Sequence, residues 1–317
     1  MKENTTNEPC GVLLIDKPAD MTSHDVIYKV RKLYGTRRVG HTGTLDPMAT
    51  GVLVVLIGRA AKACEYVAHD EKEYIATLRL GITTDTEDVS GNILTQFDGE
   101  RLPDVQEVID TVEKFKGEIY QVPPMYSALK VDGQKLCDLA RQGKVVERKA
   151  RPVTVFDIEA TSTDSPADYT LRVRCSGGTY IRTLCADIGF DLGVGGAMAA
   201  LRRTEAGGFP IEKCHTLEEL SEMDRNDLLN ILLPVESLFA DLPAAAPSPF
   251  YVGLSRNGCV MYQKKIGTAF PLGTRVRLYD SSRAGEFYAL GEVCDAPSDA
   301  APEGDATAIK VIKLFSL

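Results

Sequence analysis

The chain has 317 residues, 44% of them hydrophobic, which suffices for a sizeable core and suggests roughly two domains. No apolar run reaches the ~18 residues that a membrane helix needs, and the polar start MKENTTNEPC has no apolar signal core, so a cytoplasmic protein with no membrane partner is expected. The net charge of −9 argues against a nucleic-acid partner until its distribution is read, because base gathers in residues 29–38 and 130–151.

Residues 11–15 form a short apolar strand leading into Asp16, Lys17 and Pro18. Thr22 or Ser23 can cap a helix with Val26, Ile27, Val30 and Leu33 on one face, closed by Gly35. Then comes GHTGTLDPMATG, residues 40–51, a loop of glycines and threonines around one carboxylate, Asp46. Pro47 biases Asp46 toward extended backbone. The glycines permit close approach of a ligand. Read alone, Asp-Pro is also a common turn dipeptide. An apolar strand over 52–57 follows, then a helix over 59–67 and a strand over 74–80 with one well-buried face.

Residues 81–91, GITTDTEDVSG, read as a solvated acidic turn; they lack the spacing and closing Glu of a calcium loop. A helix carries Val105, Val108, Ile109, Val112 and Phe115, and prolines extend QVPPMYSALK at 121–130. Residues 130–151 read as a basic helical excursion, in which Lys130 and six further cations face three acids, a local +4. Strands return over 153–160 and 169–175. In SGGTYIRTLCADI, residues 176–188, Thr179 reads as an N-cap, which puts Arg182 in the first turn. A cation there opposes the helix dipole by about 0.3–1 kcal/mol. Either Arg182 is exposed and idle, or a carboxylate partner compensates it.

Residues 197–203 read as a small helix with Leu201 and the pair Arg202-Arg203. Past an acidic helical region, the Pro/Ala-rich stretch 241–249 reads as a linker and the strands beyond it as a small all-β domain, 250–317. The eight cysteines show no C-x-x-C pair and the four histidines are dispersed, so no metal is expected and the thiols should be reduced. No dinucleotide loop is present, and no cofactor is expected.

Taken in order, several separated stretches resemble one family. GVLLIDKP with TSHDV, GHTGTLDPMATG, YIATLRLGITTDTEDVSG, QVPPMYSALK, QKLCDLARQG, CSGGTYIRTLCADIG and LRRTEAG are similar to the motifs of the TruB-type tRNA pseudouridine synthases. The family has Gly where this chain has Asp20. The resemblance implies an α+β catalytic domain over 1–240, built on a central mixed, largely antiparallel sheet flanked by helices, with an RNA-gripping insertion at about 125–151. It implies a small PUA-like β domain after it. The implied reaction isomerises uridine 55 in the T loop of tRNA to pseudouridine, in a monomer whose partner is the T arm.

The resemblance also implies roles. Asp46 matches the family's essential aspartate, Arg182 its ion-pair partner, and Tyr74 the tyrosine that stacks on the target base. Tyr180 stands beside Arg182, and Leu201 lines the uracil pocket. His41 fills the gap that flipped bases leave in the RNA. Lys17 with Pro18 supports the catalytic loop, and Lys130 opens the gripping insertion. A carboxylate nucleophile splits one hard step into two easier ones. An adjacent arginine is expected to depress the Asp46 pKa and keep it ionised. Attack at ribose C1′, attack at uracil C6 and a glycal route are all compatible with these residues. A non-catalytic RNA-binding protein and a retaining glycosidase are the alternatives.

Overall fold

The structure, a computed structural model, describes residues 8–67, 71–127, 129–131, 133–283, 285–297 and 306–316. Strand β1 (Gly11–Lys17) leads into helix α1 (Ser23–Tyr34). The Thr22 hydroxyl accepts from the Asp25 amide and the Asp25 carboxylate accepts from the Thr22 amide, a reciprocal cap, and Gly35 closes the helix at φ 65°. Before the helix, Asp20 takes φ 59°, the left-handed region that Gly adopts freely and Asp tolerates.

Strands β2 (Val39–His41) and β3 (Thr50–Ile57) bracket the Asp46 loop. Then follow β4 (Lys72–Leu80), α2 (Val105–Val112), β5 (Gly117–Gln121), β6 (Arg151–Ser162), β7 (Asp168–Cys175), α3 (Ile181–Asp191) and β8 (Gly196–Ala206). The sheet runs β1-β3-β8-β4-β7-β6-β5, with β2 also paired to β3. Along that order every pair is antiparallel except β3 and β8, where Thr50 faces Arg202 and Gly51 faces Arg203. The α+β class and the mixed, largely antiparallel sheet expected from the sequence are therefore what the chain adopts.

Both faces of β1 and β3 are covered, which is why those strands read as unbroken apolar runs. Leu13, Ile15, Leu53 and Val55 meet Val26 and Val30 of α1 on one face. Val12, Leu14, Val54 and Leu56 meet Phe239, Phe287 and Phe315 on the other. Helix α3 lies against β8 at two glycines: a Cβ on Gly189 would stand 2.1 Å from the Gly196 nitrogen. That approach fixes α3, and with it Arg182, against the sheet.

Three expectations differ locally. Residues 197–203 are in β8 and not in a helix. Leu201 and Arg203 turn inward while Arg202 turns out to grip Asp16 through two hydrogen bonds of 3.2 and 2.8 Å, a period of two. The expected helix over 59–67 is a 3-10 turn, Gly58–Ala63, running into Cys64–Val67. The basic excursion is a tight hairpin (Lys130–Val131 with Gln134–Lys135), a short helix (Leu136–Arg141) and irregular chain over 144–150.

The C-terminal sheet holds β9 (Arg275–Asp280), β10 (Glu286–Asp295) and β11 (Thr307–Leu314), mutually antiparallel in that order. Ala244–Ala245, inside the expected linker, adds a parallel strand beside β9. The expected all-β domain also holds two helices, Pro249–Arg256 and Gln263–Ile266, the second directly after Met261–Tyr262, which pairs with β11.

Candidate active site

The loop between β2 and β3 is held by buried polar side chains from three elements. The Ser23 hydroxyl, at the start of α1, accepts from the Leu45 amide (2.9 Å) and donates to the Leu45 carbonyl (3.1 Å). The Lys17 Nζ, at the end of β1, donates to the carbonyls of Pro18, Met21 and Pro47. Arg203, on β8, donates from Nε to the Val52 carbonyl (2.7 Å) and from Nη2 to the Gly43 carbonyl (3.1 Å). Asp46 thus has a clamped residue on either side of it. Burial pushes the Lys17 amine down to about 8, against the pull of Asp46. Gly51 is required where the loop rejoins the sheet. Its φ is 104°, and a Cβ there would stand 2.1 Å from the Arg203 carbonyl oxygen.

From the other side comes Arg182, in the first turn of α3. Its Nε lies 2.9 Å from Asp46 Oδ2 and its Nη2 lies 3.2 Å from Oδ1, so the guanidinium meets the carboxylate edge to edge. The remaining donors reach the Thr86 carbonyl (3.1 Å) and the Tyr126 carbonyl (2.8 Å), and Asp88 stands 3.8 Å from Nη1. This compensates a cation at a helix N-terminus. The cap differs from expectation. Tyr180 is the N-cap, with no side-chain cap bond, and the Thr179 hydroxyl donates to Ser176 instead. The Gln121 side chain reaches over from β5, accepting from the Tyr180 amide (2.9 Å) and donating to its carbonyl (3.2 Å).

The stretch 81–91 is only in part the solvated turn the acidic composition suggests, with Asp85 and Ser90 exposed. Asp88 is buried, and its carboxylate accepts from Thr86 Oγ1 and from the amide and hydroxyl of Ser90. Glu87, at φ 64°, accepts from the Thr183 hydroxyl (2.6 Å). The loop folds under Arg182 because a buried guanidinium needs counter-charge.

The Asp46 pKa also departs from expectation. Burial raises the carboxyl above its ordinary value, Arg182 pulls it down, and Asp88 pushes it up again. Loss of water outweighs the ion pair, although the pair's geometry is good. About one third of the Asp46 side chain remains exposed, and that third faces a cleft of 340 Å³. Tyr74, Tyr126, Tyr180, Leu201 and Arg203 line the same cleft, so it is an aromatic and aliphatic slot with charge on one wall.

Two family models divide the chain at the ion pair. One, for the N-terminal domain of TruB family pseudouridylate synthases, matches residues 31–181; the other, for the C-terminal domain of tRNA pseudouridylate synthase B, matches residues 182–240. The chain is 44% identical over 295 residues to a tRNA pseudouridine synthase B of Saccharophagus degradans, covering 90% of this chain and 92% of that one. It is 38% identical over 282 residues to the protein of that name from Clostridium tetani, covering 89% and 95%. The chain belongs to the TruB family of pseudouridylate synthases. A crystal structure of a Cbf5-Nop10-Gar1 complex contains a chain of the same fold, with a TM-score of 0.73 at 27% identity over 96% of this chain and 84% of that one.

In this TruB-family enzyme, Asp46, Tyr74, Tyr180, Arg182 and Leu201 come together around one cleft, as the sequence reading expects of neighbours in a site. Tyr74 is buried on β4, and burial raises its hydroxyl pKa against the pull of Arg203. Lys17 lies behind the loop and not in the cleft. His41, on β2, also lies off the cleft wall. Among the described residues its buried Nδ1 makes no full hydrogen bond, and burial pushes its pKa down to about 4 against the pull of the Gly43 backbone, which keeps it neutral. The Lys130 backbone is in the short hairpin, and its side chain lies outside the described residues. Ser23, Gln121 and Arg203 were not singled out by the sequence. Arg203 was visible only as half of an Arg-Arg pair on a wrongly assigned helix, and Ser23 only as a possible cap.

Proposed function

We propose that this enzyme converts uridine 55 in the T loop of tRNA to pseudouridine, with Asp46 as the nucleophile and the uridine flipped out into the cleft. The observation that carries this reading is the single carboxylate of Asp46, gripped on one edge by Arg182 and open on the other to a slot walled by Tyr74 and Leu201. The reaction moves the glycosidic bond from N1 to C5 of one uracil. The base must detach, turn and rejoin without loss. Asp46 attacks, and Arg182 orients it and keeps it ionised despite its burial. Tyr74 stacks on the base while Leu201 and Tyr180 keep water from the intermediate. In this reading the Tyr74 hydroxyl exchanges a proton late in the cycle. Neutral His41 suits a side chain that fills the space left in the RNA stack, a positioning role. Lys17 holds the loop after Asp46.

Flipping a base out of a folded loop costs on the order of a few kcal/mol. Cations of the 130–151 segment, Lys130 among them, and the C-terminal β unit would supply backbone contacts that offset it. In this reading the enzyme works as a cytoplasmic monomer on the T arm. A retaining glycosidase is disfavoured, since it needs a second carboxylate about 5–5.5 Å from the first as acid and base. The nearest other carboxylate, Asp88, is buried behind Arg182 and does not line the cleft.

The test is tritium release from tRNA labelled at C5 of its uridines. Release near one per tRNA, mapped to the T loop and abolished by Asp46→Asn while tRNA binding persists, is expected. Tight binding with no release by the unaltered enzyme would leave only an RNA-binding protein.

A further inference from the structure

Three arginines surround the cleft and its supports, and two have their charge met. Arg182 is paired to Asp46 and lies near Asp88, and Arg202 is paired to Asp16. Arg203 differs. It is 1% exposed, among the largest fully buried side chains, and among the described residues it forms no ion pair. Its hydrogen bonds end on neutral groups, the carbonyls of Val52 and Gly43 and the Tyr74 hydroxyl. A buried guanidinium without a carboxylate is costly, and such an arrangement points to a charge that arrives later.

The position is suited to that. Arg203 lines the same cleft as Asp46 and Leu201, two residues after Leu201 on β8, and it faces Tyr74 across the strand pair with its guanidinium carbon 6.0 Å from the ring centroid. Its third nitrogen, Nη1, is used in neither carbonyl bond. It stands 3.5 Å from where a Cβ on Gly43 would be, an ordinary contact distance, with the Lys72 Cε equally far from that point.

We propose that Arg203 is a catalytic residue which, through Nη1, stabilises the negative charge that develops on the uracil carbonyl oxygens. This rests on the reaction proposed above. When the C1′–N1 bond breaks, its electron pair passes to the ring and spreads onto the oxygens. C5 then attacks C1′ with that pair, which releases the Asp46 carboxylate; the C5 proton leaves to a base and N1 takes up a proton. Attack of Asp46 at C6 also drives electrons onto the ring oxygens, so each route needs the same cation. Arg182 is already neutralised, and Arg203 is the guanidinium with charge to spare. A fixed donor aimed at developing charge costs no reorganisation at the moment of reaction.

The experiment is single-turnover kinetics on tRNA carrying uridine or 5-fluorouridine at the target position, following loss of the starting nucleoside. Fluorine withdraws electrons and stabilises the ring anion by itself. Arg203→Met should lose about 10²-fold or more in rate on uridine, with tRNA affinity nearly unchanged, and roughly a tenth of that deficit should remain on 5-fluorouridine. Arg203→Lys, which keeps the charge, should recover at least about tenfold over Arg203→Met. Ser23→Ala loosens the same loop and leaves the charge in place, so its deficit should be equal on both substrates. Equal deficits for Arg203→Met on the two substrates, or Arg203→Lys no better than Arg203→Met, would overturn the proposal and leave Arg203 a loop clamp. An unaltered enzyme inactive on uridine would instead sink the proposed function.

Discussion

Asp46 and Asp280 each meet an arginine, and their surroundings poise them in opposite directions. Asp280, at the end of β9, accepts from Arg256 Nη2 (3.3 Å) and from the amide (3.0 Å) and hydroxyl (2.6 Å) of Ser282, two residues on. Those bonds hold its carboxyl below the ordinary value, the Ser282 hydroxyl contributing most. Asp46 meets Arg182 through two bonds, yet burial holds its carboxyl above the ordinary value. The difference lies in burial and in what else donates: loss of water weighs most at Asp46, the Ser282 hydroxyl bond most at Asp280. Asp280 has local donors supplied by its own turn. The open side of Asp46 faces a cleft, where a substrate would take the place of donors. An arginine partner alone therefore does not set a carboxylate's pKa; the balance of burial against further donors does.

Breaking the arginines should give the largest contrast. Arg182→Met leaves Asp46 and Asp88 buried near each other without their cation, a loss of about 3–5 kcal/mol for a broken buried pair. Pseudouridine formation should fall by about three orders of magnitude or more, since both the orientation and the ionisation of Asp46 go with it. Arg256→Met should lower the melting temperature through loss of its bonds to Asp280 and Ser316 and its stacking over Tyr288, with turnover per folded molecule near normal. Similar losses of turnover in both variants would show that the contrast is wrong.

Acid should separate the two next. Asp46 has a raised native pKa, so the native state holds its proton more tightly than the unfolded chain. Its contribution to stability therefore falls as pH rises from the ordinary carboxylate value, 3.8, through the raised one. For Asp280, with a lowered native pKa, the contribution is full above 3.8 and is lost as pH falls through the native value. Stability measured against pH in Asp46→Asn should lose the first dependence and keep the second; Asp280→Asn should do the reverse. In activity, the acid limb should lie above 3.8 and track Asp46.

Much of this was legible in the sequence because it is local. The capped helix α1, the alternation of β4 and the apolar double-faced strands follow from spacing of two or about three and a half. The Asp46 loop and the first-turn Arg182 stand out, since each breaks a local rule. What was not legible is what distant segments do to one another. The acidic stretch 81–91 read as solvated because its partner is distant in sequence; Arg182, 94 residues after Asp88, accounts for the burial of Asp88, while Asp85 stays exposed. The Asp46 pKa was expected to fall because the pair can be inferred and the burial cannot. Arg203 was placed on a helix because a short run with two arginines fits either period, and the neighbouring strands β3 and β4 decide it. Asp20 departs from the family's Gly and yet takes the Gly-like backbone, so the departure changes strain and not the turn.

A smaller effect is expected from the long-range cap on α3. Asp280 is served by its own turn, whereas the helix that carries Arg182 has the amide of its N-cap residue, Tyr180, bound by Gln121 from β5. Gln121→Ala should cost about 1–2 kcal/mol, as for a lost helix cap. It should also lower the rate constant for turnover several-fold with tRNA affinity unchanged, because Arg182 shifts with its helix.

The smallest effect should come from converting Asp280 toward the state of Asp46. Ser282→Ala removes the hydroxyl donor and leaves the amide and Arg256 in place. Loss of one such hydrogen bond costs about 1 kcal/mol. The more informative readout is the carboxyl resonance of Asp280 followed by NMR through an acid titration. Its midpoint should move up toward 3.8 and pass above it only if burial then dominates, as it does at Asp46. An unmoved midpoint would mean that the Ser282 amide and Arg256 hold the charge without the hydroxyl, and the weight given to that hydroxyl in setting Asp280 apart from Asp46 would fail.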